Sequence, residues 1–358
     1  MNSRLLNQYS AALERREPIL DKYGRIMSYS VHGEDFSHPY LSEYLKMRGF
    51  ETIFPEEKKF AVVLSHDIDV LYKSPTRGRA LKNFGKGLYK ADYRLASNSV
   101  SSLFRKSVWH EFDLTNILKI EQQFKAHSTF FLLALDPEDA SHNYDVGHET
   151  DLINKVLNAG NEIGLHGSFH AFDDYNAIST EKKRLETAIN APVLGYRNHN
   201  LNFDLSKTWK LLIKAGFKYD ATFGFPDRPG FRNGLCHPFL PYDYDSNSPL
   251  PIIEFPLHIM DTTLFRYMNL SNEQALRYIN KIAEQVYSNR GVLSLLWHND
   301  GSGERDSLYS TILQNLSDTG AWFPTMSELS TYFTKSGYLE ELWDHISHGI
   351  EKSSNARK

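Results

Sequence analysis

From Lys59 onward, short apolar runs rich in Val, Ile, Phe and Leu alternate with longer amphipathic segments. The runs fall at 60–66, 128–135, 162–166, 193–197, 218–224, 252–259 and 292–298. Between several of them apolar residues recur at helical spacing. Leu152, Ile153, Val156 and Leu157 precede Gly160; Trp209, Leu212, Ile213 and Ala215 precede Gly216; Leu276, Ile279, Ile282, Ala283 and Val286 precede Gly291. Glycine stops a helix readily because the left-handed conformation after the last turn costs it little. Strands alternating with helices imply parallel βαβ units whose sheet the helices cover. Seven such strands suit a closed or nearly closed α/β barrel better than an open sheet. In such barrels function sits at the C-terminal ends of the strands.

The rest of the chain sets limits on this reading. Residues 1–58 are polar, with scattered aromatics and no clean period, and read as an N-terminal extension packed on a barrel of residues 59–335. Residues 336–358 read as a C-terminal helix and tail that frays from Ser347. Of the 358 residues 41% are hydrophobic and 23% charged, ordinary values for a globular protein. A net charge of −4 indicates no attraction to nucleic acid. With Cys236 as the one cysteine, no disulfide forms within the chain and a cysteine-based zinc site is excluded. The first ten residues hold no apolar core of a secretion signal, and no stretch approaches the ~18 apolar residues of a membrane helix. The compartment expected from this is the cytoplasm. Residues 73–108 carry nine Lys or Arg against the single acid Asp92, interleaved with Phe84, Tyr89, Tyr93 and Phe104. They read either as a solvated excursion or as a basic flap that touches a membrane surface or a phosphate-bearing lipid carrier.

Two strings carry the chemistry. Ser65-His66-Asp67-Ile68-Asp69 closes the first apolar run, and His166-Gly-Ser-Phe-His170 closes the third. Side chains alternate along a strand, so Asp67 and Asp69 share a face and His66 points away. Packing explains two such aspartates poorly. A spacing of four brings His166 and His170 onto one helical face or around one tight loop, and Gly164 and Gly167 favour the loop. Two imidazoles and one carboxylate leave open positions on a zinc ion, which brings the pKa of bound water from 15.7 towards ~7. A second carboxylate is left over.

In these residues the chain resembles the polysaccharide deacetylase (carbohydrate esterase) family over roughly residues 59–335. Five motifs follow in order. Asp67-Ile-Asp69 is similar to the first, which implies Asp67 as the base and Asp69 as a metal ligand. His166 and His170 match the histidine ligands of the second. Gly195-Tyr-Arg197 resembles the third, whose arginine pairs with the base. Tyr219-Asp220-Ala-Thr222 resembles the fourth, whose aspartate orients the catalytic histidine. Leu295-Leu-Trp-His298 resembles the fifth, whose histidine is the general acid. The resemblance implies a distorted (β/α) barrel of seven or eight strands, a divalent metal (Zn2+) and a carbohydrate substrate.

The chain departs from the pattern after Arg197, where Asn198-His199-Asn200 replaces prolines and an aromatic, and at Ala221-Thr222, where a tryptophan is frequent. A backbone N–H near Asn200 is then a candidate oxyanion donor, and Trp297 a candidate hydrophobic wall. His258 and Asp261 end the sixth run and are further pocket candidates, as are His199 and Asp300. The expected function is removal of an N-acetyl group from an amino sugar in a glycan or its lipid-linked or soluble precursor. Two alternatives are a small-molecule amidase or deformylase on the same barrel, and a catalytically silent glycan-binding barrel.

Overall fold

The computed structural model describes residues 9–11, 14, 19–31, 35–73, 110–111, 114–139, 142–299 and 303–355. Strand β1 (Phe60–Ile68) is buried along its whole length. A strand apolar on both faces must lie in the middle of a covered sheet. It pairs in parallel with β4 (Ser128–Leu133) on one side and with β12 (Val292–Leu296) on the other. Two short antiparallel ribbons stand apart: β2 (Tyr72–Lys73) with β3 (His110–Glu111), and β8 (Tyr242–Asp243) with β9 (Ser248–Pro249). The other strands are β5 (Glu162–Gly167), β6 (Gly195–Asn198), β7 (Tyr219–Asp220), β10 (Ile253–Glu254), β11 (Ile259–Met260) and β13 (Ala321–Trp322). The sheet runs β10-β7-β6-β5-β4-β1-β12-β11, with β13 also against β1.

All seven apolar runs supply strands of this sheet. The run at 252–259 does so twice, because β10 and β11 lie on opposite edges. Phe255 N bonds to Asp220 O (2.9 Å) and Leu257 N to Phe223 O (2.9 Å), whereas His258 N bonds to Ser294 O (3.3 Å). A single apolar stretch thus hands the sheet from one edge to the other, and the sheet curls into a distorted barrel.

Helices α1 (Tyr40–Met47), α2 (Thr115–Gln123), α3 (Thr150–Asn158), α4 (Tyr175–Ile189), α5 (Thr208–Lys214), α6 (Asn272–Ser288), α7 (Gly303–Asp318), α8 (Met326–Ser336) and α9 (Tyr338–Asn355) cover it. Helix α6 shows why they form. Ser271 and Gln274 make a reciprocal capping box, and Ala275, Ile279, Ile282, Ala283 and Val286 bury one face. Each fully buried Ile or Val contributes roughly 1.5–3 kcal/mol. Helix α9 extends to Asn355, past the expected fraying point, with Leu339, Leu342 and Ile346 buried at helical spacing.

The N-terminal segment lies on the barrel through buried contacts. Glu14 forms a 2.6 Å ion pair with Arg232, and Ser28 binds Asp227 through both N and Oγ (3.0 and 2.8 Å). The basic run expected to form a flap falls, from residue 74 to 108, outside the described residues.

Candidate active site

The strands place the first group of side chains by register. Ser65 and Asp67 share one face of β1, while His66 on the other bonds Glu121 of α2 (2.8 Å) and the Trp297 carbonyl (2.6 Å). Arg197, fully buried on β6, donates from Nη1 to Asp67 Oδ1 (2.9 Å) and Ser65 Oγ (2.8 Å), and from Nε to Ala221 O (2.9 Å). Its guanidinium lies 4.5 Å from the Phe131 ring centroid. That ring needs Gly164 beneath it, since a Cβ there would stand 2.6 Å from Phe131 Cε1. The structure thus brings Asp67 and Arg197 together, with the carboxylate held by a cation that has nowhere else to go.

His166 is the register partner of Arg197. Its Nδ1 lies 3.0 Å from the Arg197 carbonyl, which only accepts, so Nδ1 carries the proton. In the neutral ring Nε2 is then a bare lone pair, yet it faces Asp69 Oδ1 at 3.1 Å and Asp67 Oδ2 at 3.8 Å. Two acceptors so placed call for a cation between them, either a proton on Nε2 or a metal ion in its place. His199 Nε2 approaches the same oxygen at 3.7 Å, and one ligand atom each from Asp69, His166 and His199 lie within 4.8 Å of one another. The electrostatics agree. Burial opposes both charges, but the charge of Asp67 and then the bond to Asp69 raise the imidazole, while the bond to His166 and its charge hold the Asp69 carboxyl well below the usual range. Burial, followed by the charge of His166, lowers His199. The donor set suits a divalent metal ion.

His170 lies outside this cluster and is exposed. After β5 the chain turns at once: Ser168 N bonds to Glu181 Oε2 (2.9 Å) and Ala171 N to Ser168 O (3.1 Å). The turn carries the fourth residue after His166 outward. His199 takes the place expected of His170. The sequence held a signal for it, because His199 stands two residues after Arg197, as Asp69 stands two after Asp67.

A second difference concerns the histidine expected as general acid. His298, two residues past the end of β12, donates from Nδ1 to Asp261 Oδ1 (2.6 Å), and its backbone N bonds to Asp261 Oδ2 (3.0 Å). Burial alone would depress this histidine; the charge of Asp261 and the bond to it, with Asp69 and Asp67 behind, push it up to about 10. Asp220, expected in the orienting role, is elsewhere. Its Oδ1 accepts from Ala221 N (2.9 Å), Thr222 N (3.2 Å) and Thr222 Oγ1 (2.6 Å). Glu254, its register partner on β10, stands beside it and accepts from Trp209 Nε1 (2.8 Å) and Phe223 N (3.1 Å). Burial raises both carboxyls, Asp220 to about 6 and Glu254 well above its ordinary value, the latter also through the charge of Asp220. Asp220 is a structural carboxyl that closes its own loop, and Asp261 holds His298.

Asp67, Asp69, His166, His199 and His298 line one cavity of about 630 Å³, with Asn200 beside them. Trp297 and His258 do not line it. Trp297 is 2% exposed and stacks on Tyr309 at 5.3 Å, because alternation turns it away from the side that His298 faces. His258 accepts from Ser294 N at Nδ1 (3.1 Å) and meets the Leu235 carbonyl at Nε2 (3.2 Å); burial lowers it to about 4. Asp300 lies outside the described residues. Tyr23 and Arg25 of the N-terminal segment also line the cavity, and no sequence pattern announced them.

No sequence-family model and no curated protein matches the chain. Among solved structures, a putative polysaccharide deacetylase from Mycobacterium smegmatis superimposes with a TM-score of 0.55 at 18% identity, covering 81% of this chain and 94% of that one. The Xyl-CE4 domain of a multidomain xylanase from the hindgut metagenome of Trinervitermes trinervoides gives 0.40 at 13% identity, covering 78% and 91%. A mutant of the peptidoglycan deacetylase PdaC from Bacillus subtilis gives 0.40 at 14% identity, covering 82% and 98%. The first of these shows that the chain has the polysaccharide deacetylase fold, as the motif resemblance implied.

Proposed function

We propose that the chain is a metal-dependent hydrolase that removes the N-acetyl group from an amino sugar of a glycan or glycan precursor. Asp69, His166 and His199 hold the divalent ion, Zn2+ being the best match to two imidazoles and a carboxylate. The observation that carries this reading is the division of labour between two carboxylates on one strand. Asp69 turns to the histidines, whereas Asp67 gives Oδ1 to Arg197 and keeps Oδ2 beside the cluster. A base that is ionised, oriented and not spent on the ion is what amide hydrolysis needs.

When bound, the ion polarises the amide carbonyl and makes water more acidic. Asp67 accepts the proton of the attacking water, and Arg197 holds the carboxylate in place for it. His298, held at Nδ1 by Asp261, presents Nε2 to the cavity and protonates the leaving amine. The raised basicity of His298 keeps it in the donating form at neutral pH.

A small-molecule amidase uses the same groups, and a cavity of about 630 Å³ lies within the range of small-ligand sites. A silent glycan-binding barrel has no need of a paired base and acid. Of the glycan forms, a carrier-linked precursor suits the basic composition of residues 73–108. No helix among the described residues is long and apolar enough to cross a membrane. The test is acetate release from N-acetylhexosamines, free, polymeric and carrier-linked, with and without a chelator. Chelator-sensitive release from a sugar supports the proposal, and release only from non-sugar amides moves it to the amidase.

A further inference from the structure

The third ligand sits at the start of a strained turn. Asn200 and Leu201, directly after His199, have φ of 59° and 57°. Two successive non-glycine residues in the left-handed region are costly, and such backbone persists only where its surroundings impose it. Leu201 lies against Leu257, Met260 and Leu296 in a small buried cluster. The Asn200 carbonyl accepts a hydrogen bond from Arg25 Nη1 (3.3 Å), across 175 residues of sequence.

Arg25 is itself built in. It is 5% exposed, and its Nε and Nη2 meet Asp21 Oδ2 at 3.0 and 2.7 Å. Nη2 also donates to Tyr267 Oη (2.5 Å), at the end of the turn of π-helix Thr263–Tyr267 that follows Asp261. A single guanidinium therefore joins the N-terminal segment, the loop after His199 and the loop after Asp261. Only a planar fork of five donors can serve three acceptors in this way.

We propose that Arg25 is a positioning residue for the metal centre: by clamping the Asn200 carbonyl it imposes the left-handed turn that aims His199 at Asp69 and His166. The N-terminal segment is then a working part of the site. This rests on the metal reading above. Residues that act on a ligand from outside typically alter metal affinity about 10–100-fold.

The test measures Zn2+ affinity by competition with a chromophoric chelator, and the visible spectrum of the Co2+-loaded protein, for the full chain. Arg25→Ala is expected to bind Zn2+ about 10-fold or more weakly and to shift the Co2+ bands, with circular dichroism unchanged. Adding Asn200→Gly, which makes the left-handed turn inexpensive, is expected to restore much of the affinity. A merely structural arginine predicts no such rescue. If Arg25→Ala does not fold, Arg25→Lys carries the same test, since it keeps a charge for Asp21 and loses the fork. A folded Arg25 variant with wild-type affinity and spectrum overturns the inference alone. A wild-type chain that binds no divalent ion overturns both it and the metal reading.

Discussion

The two sides of the cavity are held by different means. On one side Asp67, His166 and Arg197 project from β1, β5 and β6, and strand register fixes their separations. Each is buried, and the partners are side chains and carbonyls of neighbouring strands. On the other side His199, Asp261 and His298 stand just beyond strand ends, and their geometry depends on a strained turn, a distant arginine and one carboxylate–imidazole bond. The contrast separates chemistry from adjustment. In the proposed function the strand side supplies the base, its counter-ion and a ligand, while the loop side completes the ion site and tunes the acid.

Substitutions on the strand side break the comparison most severely. Asp67→Asn is expected to reduce acetate release by about 10²–10⁴-fold while zinc content stays at the wild-type level. Undiminished turnover would remove Asp67 from the role of base. Arg197→Met leaves a buried carboxylate without its cation and is expected to cost about 3–5 kcal/mol in urea unfolding. An unchanged midpoint would mean that the pair is not coupled.

On the loop side the effects are smaller and depend on pH. Asp261→Asn removes the charge that raises His298, so the alkaline limb of kcat, set by a group at about 10, should move towards ~6.5. The same link stabilises the fold fully below the ordinary histidine value and is lost as pH rises through about 10, so the variant loses its penalty at high pH. Asp220→Asn separates structure from catalysis. Because Asp220 is raised to about 6, the native pair retains protons that the unfolded chain releases, and it destabilises increasingly as pH climbs from the ordinary carboxylate range through that value. The variant should flatten the pH dependence of stability and leave the alkaline limb of kcat in place. A shifted limb would return Asp220 to the site.

The order of these effects follows what a sequence can express. Period-two alternation and apolar runs encode register, so the barrel, Asp67 and His166 stood out from residue type and spacing, whereas Arg197 came from the motif resemblance. Alternation beyond Arg197 is the pattern that would have singled out His199, which the sequence reading held only as a pocket candidate beside the stronger His-x3-His spacing. The expected loop would have closed His170 back towards His166, whereas the turn tied by the Ser168–Glu181 bond carries His170 outward. Asp220 lies within the 218–224 run and Asp261 just past the 252–259 run, and their different fates are decided by which strand lies alongside: Glu254 beside one, His298 beside the other. That is a property of how residues 252–260 bridge the two sheet edges, which no local pattern contains. Arg25 reaches Asn200 across the fold and leaves no trace in the sequence at all.

The most direct test is the zinc content of purified His199→Ala and His170→Ala proteins beside the wild type. A site made by Asp69, His166 and His199 predicts that His199→Ala loses the ion and that His170→Ala retains it in full. Retention by His199→Ala with loss by His170→Ala would contradict it.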